Sequence, residues 1–149
     1  MKRLLALCAA LAVFAATKAP EPILMGCLGG SGTDDCDGIA LDGAGDIYLG
    51  CHSDSPDFPH LPAKAAPRSN ADMDAVVVKI DARTGRIVWA TRTGGSDWDA
   101  AGDLAVAKDG SIYVLGQTQS ADFPTTPDAV QRKFGGPRRD APVRLRRCL

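Results

Sequence analysis

The chain contains few of the residues that enzymes and metalloproteins most often use. Its only histidines are His52 and His60, and aromatic side chains make up 5% of its 149 residues. No Cys-x-x-Cys pair occurs, and neither histidine has a partner at the spacing of a metal ligand. The sequence therefore predicts no zinc site.

An excess of charge and the common catalytic motifs are missing as well. The net charge is −1, so no overall field attracts nucleic acid or anionic lipid. The segment from Gly29 to Thr33 departs from Gly-x-Ser-x-Gly because threonine occupies its last position. The segment that begins at Gly43 departs from Gly-x-Gly-x-x-Gly because Tyr48 stands where the third glycine belongs. We therefore expect no enzymatic activity, no cofactor and no nucleic-acid partner.

A single long hydrophobic run is present, from Leu4 to Ala16. It follows Lys2 and Arg3, is too short to span a bilayer comfortably, and has the length of a signal-peptide core. These features predict a signal peptide over residues 1–15 and no transmembrane helix once it is removed.

Small residues favour cleavage after Ala15, and Ala19 is a weaker site because Pro20 would follow the cut. A short N-terminal core helix is the competing interpretation, which Pro20 and Pro22 disfavour. Export would place the protein in the periplasm, outside the cell or at the cell surface, where disulfides persist.

An internal repeat is the strongest signal in the chain. When the sequence is shifted by 65 residues, one register without gaps holds from Gly29 to Pro62. The identical pairs include Gly29 with Gly94, Gly30 with Gly95, Asp34 with Asp99, Tyr48 with Tyr113, Ser55 with Ser120, Asp57 with Asp122, Phe58 with Phe123, and Pro59 with Pro124.

Each repeat predicts four short strands joined by two hairpin turns and one Pro-rich connection. No helical periodicity follows the first hydrophobic run. The segment from Ala75 to Ile80 is apolar on both faces, which is typical of a sheet packed between two others. The sequence therefore predicts an all-β fold of four-stranded antiparallel blades of the β-propeller type, with a β-sandwich as the main competitor.

The two copies, GGSGTDDCDGIALDGAGDIYLGCHSDSPDFP and GGSDWDAAGDLAVAKDGSIYVLGQTQSADFPTTPDAVQRKFGG, closely resemble the bacterial seven-bladed β-propeller repeat (SBBP repeat) family. The resemblance covers roughly residues 23–140. It implies an exported or cell-surface propeller, and it carries over no catalytic residues.

The repeat divides the chain into segments. Residues 16–28 would contain a strand that completes a preceding blade, residues 29–95 would form the first repeat, and residues 96–149 would form a second, incomplete repeat with a basic tail. About two blades cannot close a ring of 4–8. We therefore expect a truncated or frame-disrupted gene product, or a ring closed by other blades or by copies of the chain.

The Asp-Phe-Pro copies, Asp57 to Pro59 and Asp122 to Pro124, predict a structural role. The phenylalanines would plug apolar rims, the prolines would stiffen the chain, and the aspartates would accept hydrogen bonds from backbone N–H groups. A ligand-contacting loop is the alternative interpretation.

Two side-chain sets suggest specific chemistry. The carboxylates of Asp34, Asp35 and Asp37 are weak calcium candidates, although the segment lacks the spacing of a calcium-binding loop. Cys36 and Cys51 would lie nearly opposite each other across the first hairpin, which predicts a disulfide. Two independently buried cysteines are the alternative.

The segment containing Asp81, Thr84, Gly85 and Trp89 resembles the tryptophan-docking segment of quinoprotein propellers. We favour the alternative interpretation, in which Thr84 and Gly85 form a hairpin turn and Trp89 packs between blades. The basic tail offers a polyanion-binding patch at Arg144, Arg146 and Arg147 as a lesser alternative. The leading expectation is a non-enzymatic scaffold or a binding module for protein or glycan; the alternative is a quinoprotein-like fragment associated with an oxidoreductase.

Overall fold

A computed structural model describes residues 26–62 and 73–136, together with the backbone of residues 143–148. These residues form strands, turns and bends, with no helix among them. The strands are β1 (Asp34–Leu41), β2 (Ile47–Ser53), β3 (Asp74–Asp81), β4 (Arg86–Thr93), β5 (Asp99–Val106), β6 (Ile112–Thr118) and β7 (Val143–Cys148). The prediction of an all-β chain built from antiparallel strands is confirmed.

Sheet A contains β1, β2, β3 and β4 in sequence order, each antiparallel to the next. The turn between β3 and β4 forms because Asp81 Oδ1 accepts hydrogen bonds from the Thr84 N–H (2.8 Å) and Oγ1 (2.9 Å). Gly85 follows with φ of 68°, a left-handed conformation that glycine adopts at little cost. The four strands and two hairpins expected for the first repeat are therefore present.

Sheet B contains β5, β6 and β7 in sequence order, again antiparallel. The basic tail thus supplies the third strand of the second repeat. Val76 pairs with Cys51 in sheet A, whereas Val143 pairs with Gly116 in sheet B. Since 116 − 51 is 65 and 143 − 76 is 67, the third strand is offset by two more residues than the first two. Pro142, which precedes β7 in the sequence, lies outside the described residues.

Both first strands bulge at equivalent points. The pairing of β1 with β2 shifts between Cys36 and Gly38, and that of β5 with β6 shifts between Ala101 and Leu104. A bulge re-aims the backbone and increases the local twist of a strand. At the bulge of β5, the Gly102 carbonyl lies against sheet A, in the contact between the sheets.

Strand β3 is buried on both faces, as its sequence predicted. Ala75 and Val77 face sheet B and join one hydrophobic cluster with it, while Val76 and Val78 belong to a second cluster on the opposite face of sheet A. Sheet A is therefore covered on one face by sheet B and, over β3, on its other face by the cluster that contains Phe58.

The two sheets pack face to face, and the face that sheet A uses is not the equivalent of the face that sheet B uses. Sheet B contributes what we call the packing face, whose residues are Ala101, Leu104, Val106, Ile112 and Val114. Sheet A contributes what we call the receiving face, whose residues are Gly38, Ala40, Tyr48, Gly50, Ala75, Val77 and Trp89. The contact joins one face of a repeat to the opposite face of the next, which is the geometry of a series of stacked sheets.

Two glycines make this contact close. Gly38 and Gly50 pair directly across β1 and β2. A Cβ at either position would lie within 3.0 Å of the Gly102 carbonyl oxygen, at the bulge of β5. The receiving face therefore depends on the absence of side chains at these two points.

Candidate functional site

The Gly-Gly-Ser and Asp-Phe-Pro motifs of the first repeat bind each other. The Ser31 N–H and Oγ donate to Asp57 Oδ1 at 2.7 and 2.9 Å, and the Gly32 N–H donates to Ser55 Oγ at 2.8 Å. Ser55 Oγ in turn donates to Asp34 Oδ2, which also accepts the Gly30 N–H; both distances are 2.8 Å. We call this network the clasp, because it ties the entry of the repeat to the end of β2.

The second repeat contains the same clasp. The Ser96 N–H donates to Asp122 Oδ1 at 2.8 Å, and the Asp97 N–H donates to Ser120 Oγ at 2.9 Å. The fully buried Asp99 accepts from Ser120 Oγ and from the Gly95 N–H at 2.7 Å each. The predicted backbone-binding role of Asp57 and Asp122 is therefore present in both repeats.

The glycines of the motif give the carboxylates room. A Cβ on Gly30 or Gly95 would collide with the clasp aspartate of its own repeat, Asp57 or Asp122. Gly29 similarly leaves space for the Asp34 carboxylate at the start of β1, and Gly94 leaves space for the carboxylates of Asp74 and Asp99 at the starts of β3 and β5. The four repeated glycines are thus explained by close packing of polar groups, with no ligand required.

Hydrogen bonding lowers the pKa of two carboxylates of the first clasp. Donation from the Ser31 N–H and hydroxyl lowers the pKa of Asp57 below its usual value. Burial opposes ionisation of Asp34, but the hydroxyls of Ser53 and Ser55 and the Gly30 N–H outweigh it and lower its pKa. These bonds favour the folded chain at neutral pH.

Arg92 of β4 reinforces the first clasp. Its Nη2 donates to the Ser55 carbonyl oxygen at 2.7 Å and to Ser53 Oγ at 3.1 Å. Burial lowers the pKa of Arg92, while the charges of Asp74 and Asp34 oppose that shift. Sequence reasoning missed this residue, whose only signal was a cation close to the Gly-Gly pair that ends the repeat.

The two phenylalanines of the motif differ. Phe58 is 3% exposed and packs with Cys51, Val76 and Val78 on the far side of sheet A. Phe123 is only half-buried. The predicted plug is therefore formed in the first repeat and is incomplete in the second.

A disulfide joins Cys36 to Cys51, with an S–S distance of 2.08 Å. The two cysteines face each other as partners in the ladder of β1 and β2, beside the bulge. Cys27 is the free, exposed cysteine of the described side chains. The bridge thus cross-links the hairpin that the clasp closes.

The calcium candidates do not converge on one point. Asp34 faces the clasp, Asp35 Oδ1 accepts the neighbouring Cys36 N–H at 2.9 Å, and Asp37 Oδ2 lies 3.6 Å from His52 Nδ1. All three belong to β1. In the described parts of the chain, no group of three or more His, Cys, Asp or Glu could hold a metal ion.

An ion-pair network stabilises the β1–β2 turn. Lys79 Nζ lies 3.2 Å from Asp42 Oδ2 and 3.0 Å from Asp46 Oδ2, and it also sits over the Tyr48 ring at 5.1 Å from its centroid. Interaction with Tyr48 and Asp46 raises the pKa of Lys79. Sequence reasoning missed this network, although a lysine inside an apolar strand was its signal.

The residues of the quinoprotein-like segment have structural partners. Asp81, Thr84 and Gly85 form the β3–β4 turn, and Trp89 packs edge-on against Tyr48 with ring centroids 6.1 Å apart. Trp89 thereby contributes to the contact between the sheets. This arrangement matches the hairpin-and-packing interpretation.

A cleft of about 260 Å³ opens beside the two bulges. Its lining residues are Asp37, Trp98, Ala100, Gly102, Asp103, Leu115, Gly116 and Gln117. The bulge of β1 brings Asp37 from sheet A to the mouth of a cleft that sheet B otherwise forms. The cleft thus draws on both repeats.

The cleft combines one aromatic surface with several polar groups. Trp98 is half-buried and held edge-on against His52 of β2, with ring centroids 5.7 Å apart. Asp37, Asp103 and Gln117 supply carboxylate and amide groups, all on exposed residues. An aromatic surface beside hydrogen-bonding groups suits a ligand that has both C–H faces and hydroxyls.

Sequence reasoning missed the cleft. Trp98 occupies the position of Thr33 in the other repeat, so it falls outside the identities that mark the repeat. An aromatic side chain replacing threonine at an equivalent position was the available signal.

No protein-family model matches the chain, and no curated protein matches it either.

In the part of the chain that the structure describes, no helix is long and apolar enough to span a membrane. The predicted signal peptide, residues 1–15, lies outside the described residues. Of the segment 16–28, the structure describes residues 26–28, which belong to no strand.

Proposed function

We propose that the chain is an exported, non-enzymatic module of the β-propeller repeat type that binds a glycan in the cleft beside Trp98. The observation that carries the repeat assignment is the contact between the sheets, in which the packing face of one repeat meets the receiving face of the other. Stacking of this kind is what blades of a propeller require.

The glycan assignment is supported by the chemistry of the cleft. The Trp98 ring offers a flat surface to the C–H face of a sugar, and Asp37, Asp103 and Gln117 can bond its hydroxyls. The opening is shallow and shared between the sheets, which favours a short oligosaccharide segment over a fully enclosed small molecule. The disulfide lies beside the bulge of β1 that contains Asp37.

The test starts with the purified, exported protein. Sequencing its N-terminus should find a chain that begins at Ala16, and retention of Met1 would contradict the proposed export. A glycan array should then identify a bound oligosaccharide, whose affinity is measured by titration calorimetry.

Variants at the cleft decide whether that binding is specific. Trp98→Ala and Asp37→Asn should each weaken it by about tenfold or more, a change of roughly 1.4 kcal/mol. Trp89→Phe, which changes the other tryptophan outside the cleft, should bind like the parent chain. Equal binding by Trp98→Ala would refute the site, and selective binding of peptides at this cleft would refute the glycan assignment.

A further inference from the structure

The side of sheet A that faces away from sheet B carries a second copy of the packing face, which is exposed along β1. Shifting the packing face of sheet B back by 65 residues gives Cys36, Ile39, Leu41, Ile47 and Leu49. Ile39 is 65% exposed and Leu41 is 61% exposed, whereas the equivalent Leu104 is 8% exposed against sheet A. The same kind of surface is thus buried in one repeat and open in the other.

We call this surface of sheet A the free packing face. Its backbone has the same bulge as the packing face of sheet B. In the observed contact, the bulge of β5 directs the Gly102 carbonyl between Gly38 and Gly50. The equivalent bulge residue of β1 is Asp37, and the register shift occurs at the same place. Sheet A therefore presents both the apolar side chains and the bulge that sheet B uses.

The exposed side of sheet B is an altered copy of the receiving face. Its equivalent of Tyr48 is Tyr113, which is 48% exposed. At the two positions that must be glycine, however, it carries Asp103 in place of Gly38 and Leu115 in place of Gly50. A β-carbon at those positions would collide with the entering carbonyl, and this carbonyl is backbone and has no rotamer that moves it away.

We infer that the free packing face of sheet A docks onto a four-stranded sheet of different sequence, with glycine at both receiving positions, and that unaltered copies of this chain do not dock on one another. The inference rests on the stacked-repeat part of the proposed function and is independent of the glycan. It replaces the expectation that copies of the chain close a ring together.

The experiment converts the chain into its own partner. The double variant Asp103→Gly/Leu115→Gly removes both blocking side chains and should associate about tenfold or more tightly than the parent chain. Because the contact is head-to-tail, sedimentation velocity should find an open series of trimers and larger species as concentration rises. The parent chain should remain monomeric across the same range.

A reversal variant locates the contact. Adding Ile39→Asp and Leu41→Asp to the double variant should restore the monomer, because it places charge on the free packing face. Circular dichroism and thermal melting establish folding of every protein. If the double variant unfolds, the parent chain still tests the inference, because it must remain monomeric. An Asp103→Gly/Leu115→Gly variant that folds and stays monomeric overturns the inference. Association of the parent chain that Ile39→Asp/Leu41→Asp abolishes overturns it as well.

The two proposals fail separately. Association of the glycine variant without glycan binding by the parent chain would refute the ligand alone. Glycan binding at Trp98 without association of the glycine variant would refute the docking surface alone.

Discussion

Replacing Gly50 with alanine should destabilise the chain, although strand propensity favours the change. Alanine in a strand interior is worth about 0.5–1 kcal/mol over glycine. At Gly50 the new methyl group would meet the Gly102 carbonyl within 3.0 Å, with Leu104 Cδ1 at 3.3 Å and the Ala101 carbonyl at 3.4 Å. Two of these three neighbours are backbone atoms, so the sheets must move apart.

The expected magnitude follows from the two opposing effects. Overpacking a core costs roughly 1–3 kcal/mol, and here the upper part applies because the separation loosens the whole cluster around Tyr48, Val77 and Leu104. Subtracting the propensity gain leaves a net loss of about 2 kcal/mol. For a domain of this size, that lowers the melting temperature by about 8 °C.

Thermal and urea unfolding would measure this effect, with Gly43→Ala as the matched control. Gly43 lies in the β1–β2 turn of the same hairpin, has no atom within 4 Å of an added Cβ, and does not have a positive φ. That substitution should leave the free energy of unfolding unchanged within about 0.5 kcal/mol. The reasoning is refuted if Gly50→Ala melts at or above the parent chain, or if Gly43→Ala loses as much.

Two further predictions concern the hairpin. Because hydrogen bonds from Ser31 lower the pKa of Asp57, its stabilising contribution is present at neutral pH and is lost as the pH falls below about 4. Asp57→Asn should therefore unfold at less urea than the parent chain at pH 7 and show a weaker loss of stability on acidification. Identical pH profiles would contradict this account. Replacing Cys36 and Cys51 together by serine opens a bridge between residues 15 apart, which should cost about 3 kcal/mol. The double serine variant should unfold at the same urea concentration as the parent chain with its disulfide reduced. A large difference between these two proteins would show that packing of the cysteines outweighs the cross-link.

The sequence predicted the features that depend on local rules. Hairpin turns, strand order in the first repeat and the pairing of Cys36 with Cys51 all follow from turn residues and the two-residue period of a strand. The backbone-binding role of Asp57 was accessible for the same reason, since aspartates beside turns commonly accept N–H groups.

The remaining features depend on contacts between distant segments. Gly50 and Leu115 are visibly different at equivalent positions, but the importance of that difference appears only when the Gly102 carbonyl is placed against Gly50. The cleft depends on two bulges, and a register shift of one residue leaves no mark in a period of 65. Trp98 gave no signal in the repeat, because its equivalent is Thr33 and the two residues do not form an identical pair.

The clasp also bears on how such a repeat tolerates changes in length. It closes the chain between Ser31 and Asp57, 26 residues apart, before the Pro-rich connection leads to β3. Insertions after Asp57 lengthen a connection that leads from the clasp to β3, and each added residue raises the free energy of closing such a loop only slightly. This decoupling accommodates the two-residue difference at β7 while Ser96 and Asp122 keep the same separation of 26 residues. Protein engineers could therefore place an inserted peptide in this connection and leave the first hairpin of the repeat undisturbed.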